Sequence, residues 1–221
     1  MATGAPARER LDRRRVVQAA LGVIDQQGLD ALTMRRLAAE LDVDPMTVHH
    51  HARGKDSLLA GVAELLWEEV EHPGPSQDAK DVLRTLAHSV RGLFHRHPEA
   101  APLVLRCTNL SQSELKVWRV YLDAISDAGI DTPAAALRPV LLYALGTAYA
   151  EVAMLGVACV PETRPLTDRE ILLTLGQALP QETSPQLAAA AVEMIADCDP
   201  DRCFTDGLEL MLAGLPSSRK R

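Results

Sequence analysis

Aromatic side chains are scarce in this chain: two Trp, three Tyr and two Phe among 221 residues. Strand-built cores lean on aromatic and β-branched residues, so this shortage argues against a sandwich. With 47% apolar residues the core must come from Ala, Leu and Val, which suits close helix–helix packing. Cysteine is sparse too. The four, at positions 107, 159, 198 and 203, accompany a polar, Arg-rich N-terminus with no apolar leader, which points to the cytoplasm and to reduced thiols. Cys198 and Cys203 are five apart, which is not a zinc-knuckle spacing, and all four read as small core residues. The longest apolar stretch, residues 140–160, contains Glu151 and is rich in Ala and Gly. It reads as a buried helix, not a membrane span. No nucleophile–base motif, P-loop, HExxH or glycine-rich phosphate loop occurs. No catalytic residue, cofactor, metal or membrane contact is therefore expected.

The net charge of −7 hides a split. Residues 1–60 hold nine Lys/Arg against eight Asp/Glu, and residues 61–221 hold fourteen against twenty-two. Basic side chains gather at Arg8, Arg10, Arg13 to Arg15, Arg35, Arg36, Arg53 and Lys55. A basic face on an acidic body suits a selective DNA binder.

That face carries the motif. In LTMRRLAAELDVDPMTVHHHARGK, residues 32–55, Leu32, Leu37, Ala38 and Leu41 form a helical stripe, and Thr33 stands where a hydroxyl caps the first turn. Asp42-Val43-Asp44 breaks the pattern, and Asp44-Pro45 opens a second helix as N-cap and N1 proline. That helix, about Pro45 to Ala52, is too short to stand alone. Braced by its neighbours, it presents Met46, Thr47, His49 and His50 outward, as a major-groove reader would.

The rest of the chain reads as helices. The first is expected from about Glu9 to Gln27, with Val17, Ala20, Leu21 and Ile24 inward, and Gly28 as its stop. A helix after Gly54-Lys55 should reach Glu71. HPGPSQ, residues 72–77, is the clearest break. Further helices are expected near 78–96, 99–107, 112–128, 133–157, 168–178, 185–196 and 200–213, with a loop over 158–167. Pro139 should kink the long helix or delay its start. The fold expected is all-α: an N-terminal three-helix helix–turn–helix DNA-binding domain over 9–71, a linker over 72–77, and a helical ligand-binding and dimerisation domain over 78–215.

The stretch RRRVVQAALGVIDQQGLDALTMRRLAAELDVDPMTVHHHARGKDSLL resembles the DNA-binding domain of the tetracycline-repressor (TetR) family. RHPEAAPLVL, the 115–128 segment before Gly129-Ile130, and CFTDGLELMLAGL resemble the C-terminal part of the tetracycline-repressor subclass. The resemblance implies a homodimer that reads successive major grooves of a palindromic operator in double-stranded DNA and answers to a small-molecule effector. Dimerisation would use helices near 134–157 and 201–213, the former with a seam of Ala144, Ala148, Val152 and Leu155. By the same resemblance Arg35, with its neighbour Arg36, reaches toward DNA from the second helix. Pro45, Met46, Thr47 and His50 face bases, while Thr33, His51 and Lys55 meet phosphates. His49 stands where the family most often has Tyr; an imidazole can also donate to phosphate, and gains charge near pH 6.5.

Three consecutive histidines invite a metal reading, but neighbours on a helix are turned about 100° apart and cannot converge on one ion. Candidate ligand-pocket residues are His88, His95, Arg106, Asn109, Trp118, Tyr121, Tyr143 and Glu151. Trp118 and Tyr121, three apart, can share a face. Two functions follow. One is a ligand-responsive regulator, a repressor released from its operator by the effector. The other is an all-α carrier or enzyme whose basic N-terminus is incidental.

Overall fold

Three of the first four helices begin where a side-chain oxygen can hold their opening N–H groups. The computed structural model describes residues 11–75, 78–106, 110–158, 184–196 and 199–215. Helix α1 spans Arg13–Gln27, and the Asp12 carboxylate accepts from the Arg15 N–H at 2.8 Å. The extended backbone of Asp12 therefore starts the helix at Arg13, later than the Glu9 expected from periodicity. A single 3-10 turn at Leu29–Ala31 leads to α2, Met34–Glu40. There Thr33 Oγ1 accepts from the Arg36 N–H at 3.0 Å. Helix α3 spans Pro45–Ala52, with Asp44 accepting from the Met46 N–H at 2.8 Å and Pro45 in the first turn. Arg53 in the left-handed region (φ 51°) ends it, and Gly54 (φ 101°) takes a conformation closed to most side chains.

Helix α4, Lys55–Glu68, stops three residues short of the Glu71 expected. It is the central strut of this part. Its Leu58, Val62 and Leu66 are fully buried, at the i, i+4, i+8 spacing of one face. It packs on α1 through Gly61, where a Cβ would lie 2.8 Å from a methyl of Val17. The missing side chain sets how closely the two helices approach.

Helix α5 spans Ala79–Arg96, capped by Asp78 on the N–H groups of Lys80 and Asp81. Only Leu103–Arg106, α6, is helical where a helix over 99–107 was expected. Pro98 and Pro102 limit the segment to turns, with the His97 carbonyl accepting from Ala100 and Ala101. Helix α7, Gln112–Asp127, is capped by Ser111 and buries Val117, Tyr121 and Ile125. Helix α8, Pro133–Ala158, runs unbroken past Pro139, so the proline does not delay its start. Of the expected loop over 158–167, Ala158 ends α8 and the remainder lies outside the described residues, as does the helix near 168–178.

The chain divides into two compact units at Ala148/Tyr149, inside α8. The Pro73-Gly74-Pro75 break lies within the first, because α4 packs on α6 and α7 as well as on α1. The second unit holds the end of α8, then α9, Pro185–Ala196, and α10, Pro200–Ala213. Asp199 caps α10, and Phe204, Leu208 and Leu212 form its buried stripe, while Leu210 is 77% exposed. Among the described residues the structure is helical throughout, and no helix is long and apolar enough to cross a membrane.

Candidate nucleic-acid interface and ligand cavity

The short reader helix α3 is held from inside and open outside. Val48 and Ala52 are fully buried, and Met46 is 74% exposed. Pro45, His49 and His50 are exposed, and Thr47 and His51 are half-buried. Both α1 and α2 pack on α3. A further brace is Arg13, which the sequence reading assigned only to a basic cluster. Its guanidinium donates to the His51 carbonyl at 3.3 Å, and to Ser57 at the carbonyl (3.1 Å) and the hydroxyl (3.3 Å). One arginine thus ties the start of α1 to the last turn of α3 and the first turn of α4. A spacing pattern does not reveal this, because the partners lie about forty positions away.

The two α2 arginines differ. The Arg36 guanidinium is engaged by Gln27 (3.2 Å) and by Glu40 (2.9 Å). Arg35 is exposed and has no protein partner among the described residues. Lys55, the first residue of α4, is likewise exposed and unpaired. Thr33 is exposed, and its oxygen accepts the capping bond, which leaves its hydroxyl proton to donate outward. Among the described residues no three His, Cys, Asp or Glu side chains are grouped to hold a metal ion.

The pocket candidates scatter. His88 and His95 are exposed on α5, and Arg106 is exposed at the end of α6. Asn109 lies outside the described residues. Tyr143 and Glu151 are half-buried on α8. Trp118 and Tyr121 come together at one narrow cavity, shared with Trp67, Leu86, Val117, Leu137 and Leu141. It is nowhere wide enough for a water molecule. Three of the chain's seven aromatic rings line it. The Trp118 indole N–H is buried without an acceptor among the described residues, an arrangement that ordinarily costs free energy. The fully buried Tyr121 donates to the Glu71 carbonyl at 2.6 Å. Burial, with the Glu71 charge second, pushes its phenol well above the usual value. Trp67 was not singled out from the sequence; its being one of only two tryptophans is the signal that could have found it.

A wider groove of about 820 Å³ runs beside α4, walled by Leu59 and Trp67 on one side and by Leu103, Arg106 and Glu114 on the other. Burial lifts the Glu114 carboxyl above its ordinary 4.5, against the opposing effect of the Ser111 backbone hydrogen bond.

A sequence profile described as "Bacterial regulatory proteins, tetR family" matches residues 16–62, and one described as "Tetracyclin repressor-like, C-terminal domain" matches residues 72–218. The chain belongs to the TetR family. This TetR-family regulator is 27% identical over 210 residues to the class D tetracycline repressor of Escherichia coli, covering 93% of this chain and 89% of the relative. It superposes on apo ActR of Streptomyces coelicolor with a TM-score of 0.75 at 28% identity, over 96% of each chain. ActR in complex with actinorhodin gives 0.76 at 27% identity, over 93% of this chain and 97% of that one. Members of the family are DNA-binding transcription factors, which removes the carrier reading of the N-terminus.

Proposed function

We propose that this TetR-family regulator is a repressor that binds a palindromic operator as a homodimer and lets go when a small molecule enters its C-terminal domain. The observation that carries this reading is the reader helix: eight residues, rigidly backed by Val48, Ala52 and the Arg13 brace, with Met46, His49 and His50 facing out. Arg35 and Lys55 flank it as cations with no partner among the described residues. In this reading Arg35, Pro45, Met46, Thr47 and His50 address base edges, while Thr33, His49, His51 and Lys55 set register on phosphates. Arg36, engaged within the protein, shapes the surface more than it reads it. The functional division is a DNA-binding domain over 9–71 and a ligand-binding and dimerisation domain over 78–215.

Ala144 and Ala148 are fully buried within the chain's own fold, so they are not the seam a partner would cover. Among the described residues, Leu142 (62% exposed) and Tyr149 on α8, and separately Leu210 on α10, are apolar side chains open to solvent. The effector site in this reading is the aromatic cavity at Trp118. Drug-sized ligands occupy roughly 300–1,000 Å³, so the cavity must widen to admit one. Because Trp67 of α4 forms part of its wall, widening bears on α4, and a ligand that fits only the widened form shifts the population away from the DNA-reading form. The unpaired indole N–H favours a ligand with an acceptor oxygen facing Trp118. ActR bound to actinorhodin and the tetracycline repressors support a small-molecule effector of the kind those names carry.

Selection of bound duplexes from a random pool, repeated with Arg35→Ala and Lys55→Ala, tests the DNA assignment. Arg35→Ala should relax preference at one position per half-site by about 1–3 kcal/mol, and Lys55→Ala should weaken all sites alike. Wild-type affinity and preference in both variants would refute it.

A further inference from the structure

The groove beside α4 differs from the cavity at Trp118 in width, length and charge. At about 820 Å³ it already falls in the range that small organic ligands occupy, roughly 300–1,000 Å³. Lys55, Leu59, Ala63 and Trp67, each four residues after the last, all line it. It therefore follows one face of α4 for about 18 Å. Ala60, Gly61 and Ala63 keep its floor low, and Leu59, Trp67 and Leu103 give it apolar walls. Its charges are unevenly placed. Asp30, Asp56, Glu64 and Glu114 stand against Arg13, Lys55 and Arg106. The three cations and both aspartates are exposed, where water and salt screen them, whereas Glu64 and Glu114 are half-buried. The Arg13 guanidinium is turned to His51 and Ser57, and neither glutamate is ion-paired with a described residue. Burial raises the Glu114 carboxyl despite its backbone hydrogen bond from Ser111, so its charged form is short of solvation. The interior of the groove thus sets uncompensated negative charge beside apolar surface and an indole.

We propose that this groove is a second small-molecule site, separate from the cavity at Trp118, and that it takes a small aromatic amine. The ring lies on Leu59, Trp67 and Leu103, and the ammonium is directed to the carboxylates of Glu64 and Glu114. An ammonium brings three N–H donors and a positive charge, which together replace the water that Glu114 lacks. An anion of the same shape meets two half-buried carboxylates and is repelled. Trp67 lines both cavities, so one indole stands between the two sites. An amine seated in the groove fills the space on one side of that indole and blocks its movement in that direction. The consequence rests on the effector reading, although the binding does not: the amine opposes widening of the Trp118 cavity and so favours the DNA-reading form.

The test is calorimetric titration of the full-length protein at about pH 7, where a primary amine carries its proton. Three probes share one ring system and differ in charge: 2-naphthylmethylamine, 2-naphthylmethanol and 2-naphthoate. The amine should bind about tenfold more tightly than the alcohol, and the naphthoate should bind most weakly. Glu64→Gln and Glu114→Gln should each weaken the amine by about 3–10-fold and leave the alcohol unchanged. Ala60→Phe fills the groove from an exposed position of α4 and should abolish binding of the amine. Equal affinity for amine and naphthoate, or wild-type affinity for the amine in Ala60→Phe or in both Gln variants, overturns the proposal. Operator affinity is measured on the same samples. Saturating amine should leave it unchanged or tighter; a weaker operator complex, with the calorimetry intact, overturns the opposition through Trp67. Loss of all sequence-specific binding in the wild type without amine would sink the DNA reading, while the calorimetry still judges the groove.

Discussion

The helix–turn–helix region and the aromatic cavity at Trp118 are built on opposite plans. The head is assembled from consecutive elements within a few residues of one another, the first three helices started by side-chain caps (Asp12 for α1, Thr33 for α2, Asp44 for α3) and α4 following directly on Gly54. The cavity takes one residue each from α4 and α5, three from α7 and two from α8, spread from Trp67 to Leu141. A surface that must meet a regular duplex can be written as a contiguous motif. A cavity that must enclose a ligand is written only in the packing of distant helices. The difference also separates rigidity from give: the reader is fixed by caps and by Arg13, while the cavity is narrow, apolar and lined by Trp118, whose indole N–H has no acceptor among the described residues.

Substitutions can break that contrast in graded ways. The largest effect should come from Leu58→Ala in the fully buried face of α4, which supports both regions. A loss of about 2–5 kcal/mol is expected in urea unfolding, and head and cavity should fail in one transition. Asp44→Ala should act on the head alone. Removing the α3 cap costs about 1 kcal/mol, so operator affinity should fall while tryptophan fluorescence, reporting Trp67 and Trp118 at the cavity, stays as in the wild type. Glu114→Gln should have the smallest effect. Because burial raises this carboxyl, the folded protein holds its proton more tightly than the unfolded chain, and stability falls as pH climbs above 4.5. The amide should therefore raise Tm slightly at pH 7 and leave it unchanged well below pH 4.5. An equal gain at both pH values would mean the effect is not ionisation.

The same contrast explains what the sequence disclosed. Asp44 and Pro45 located the reader helix α3 to the residue, because caps and N1 prolines act within one turn. The first helix was drawn too long because amphipathic spacing cannot see that Asp12 turns its backbone away from the helix. The short helix after α5 was overdrawn because two prolines so close together leave turns. The pocket was legible only as residue types. Trp118 and Tyr121 are on the cavity, yet His88 and His95, equally plausible by chemistry, point to solvent. The Ala144–Ala148 seam met the requirement for close packing, but the chain itself fulfils it. Arg13 escaped notice because its partners are tens of positions away, and only the tertiary fold brings them within bonding distance.

The most direct measurement is a titration of duplexes carrying one or two copies of the selected half-site with full-length protein, at several salt concentrations. Two subunits should bind the two-copy duplex together, with log affinity falling steeply against log salt, and far more tightly than the one-copy duplex. Equal affinity for both duplexes and for random DNA, or binding by single subunits, would contradict the account.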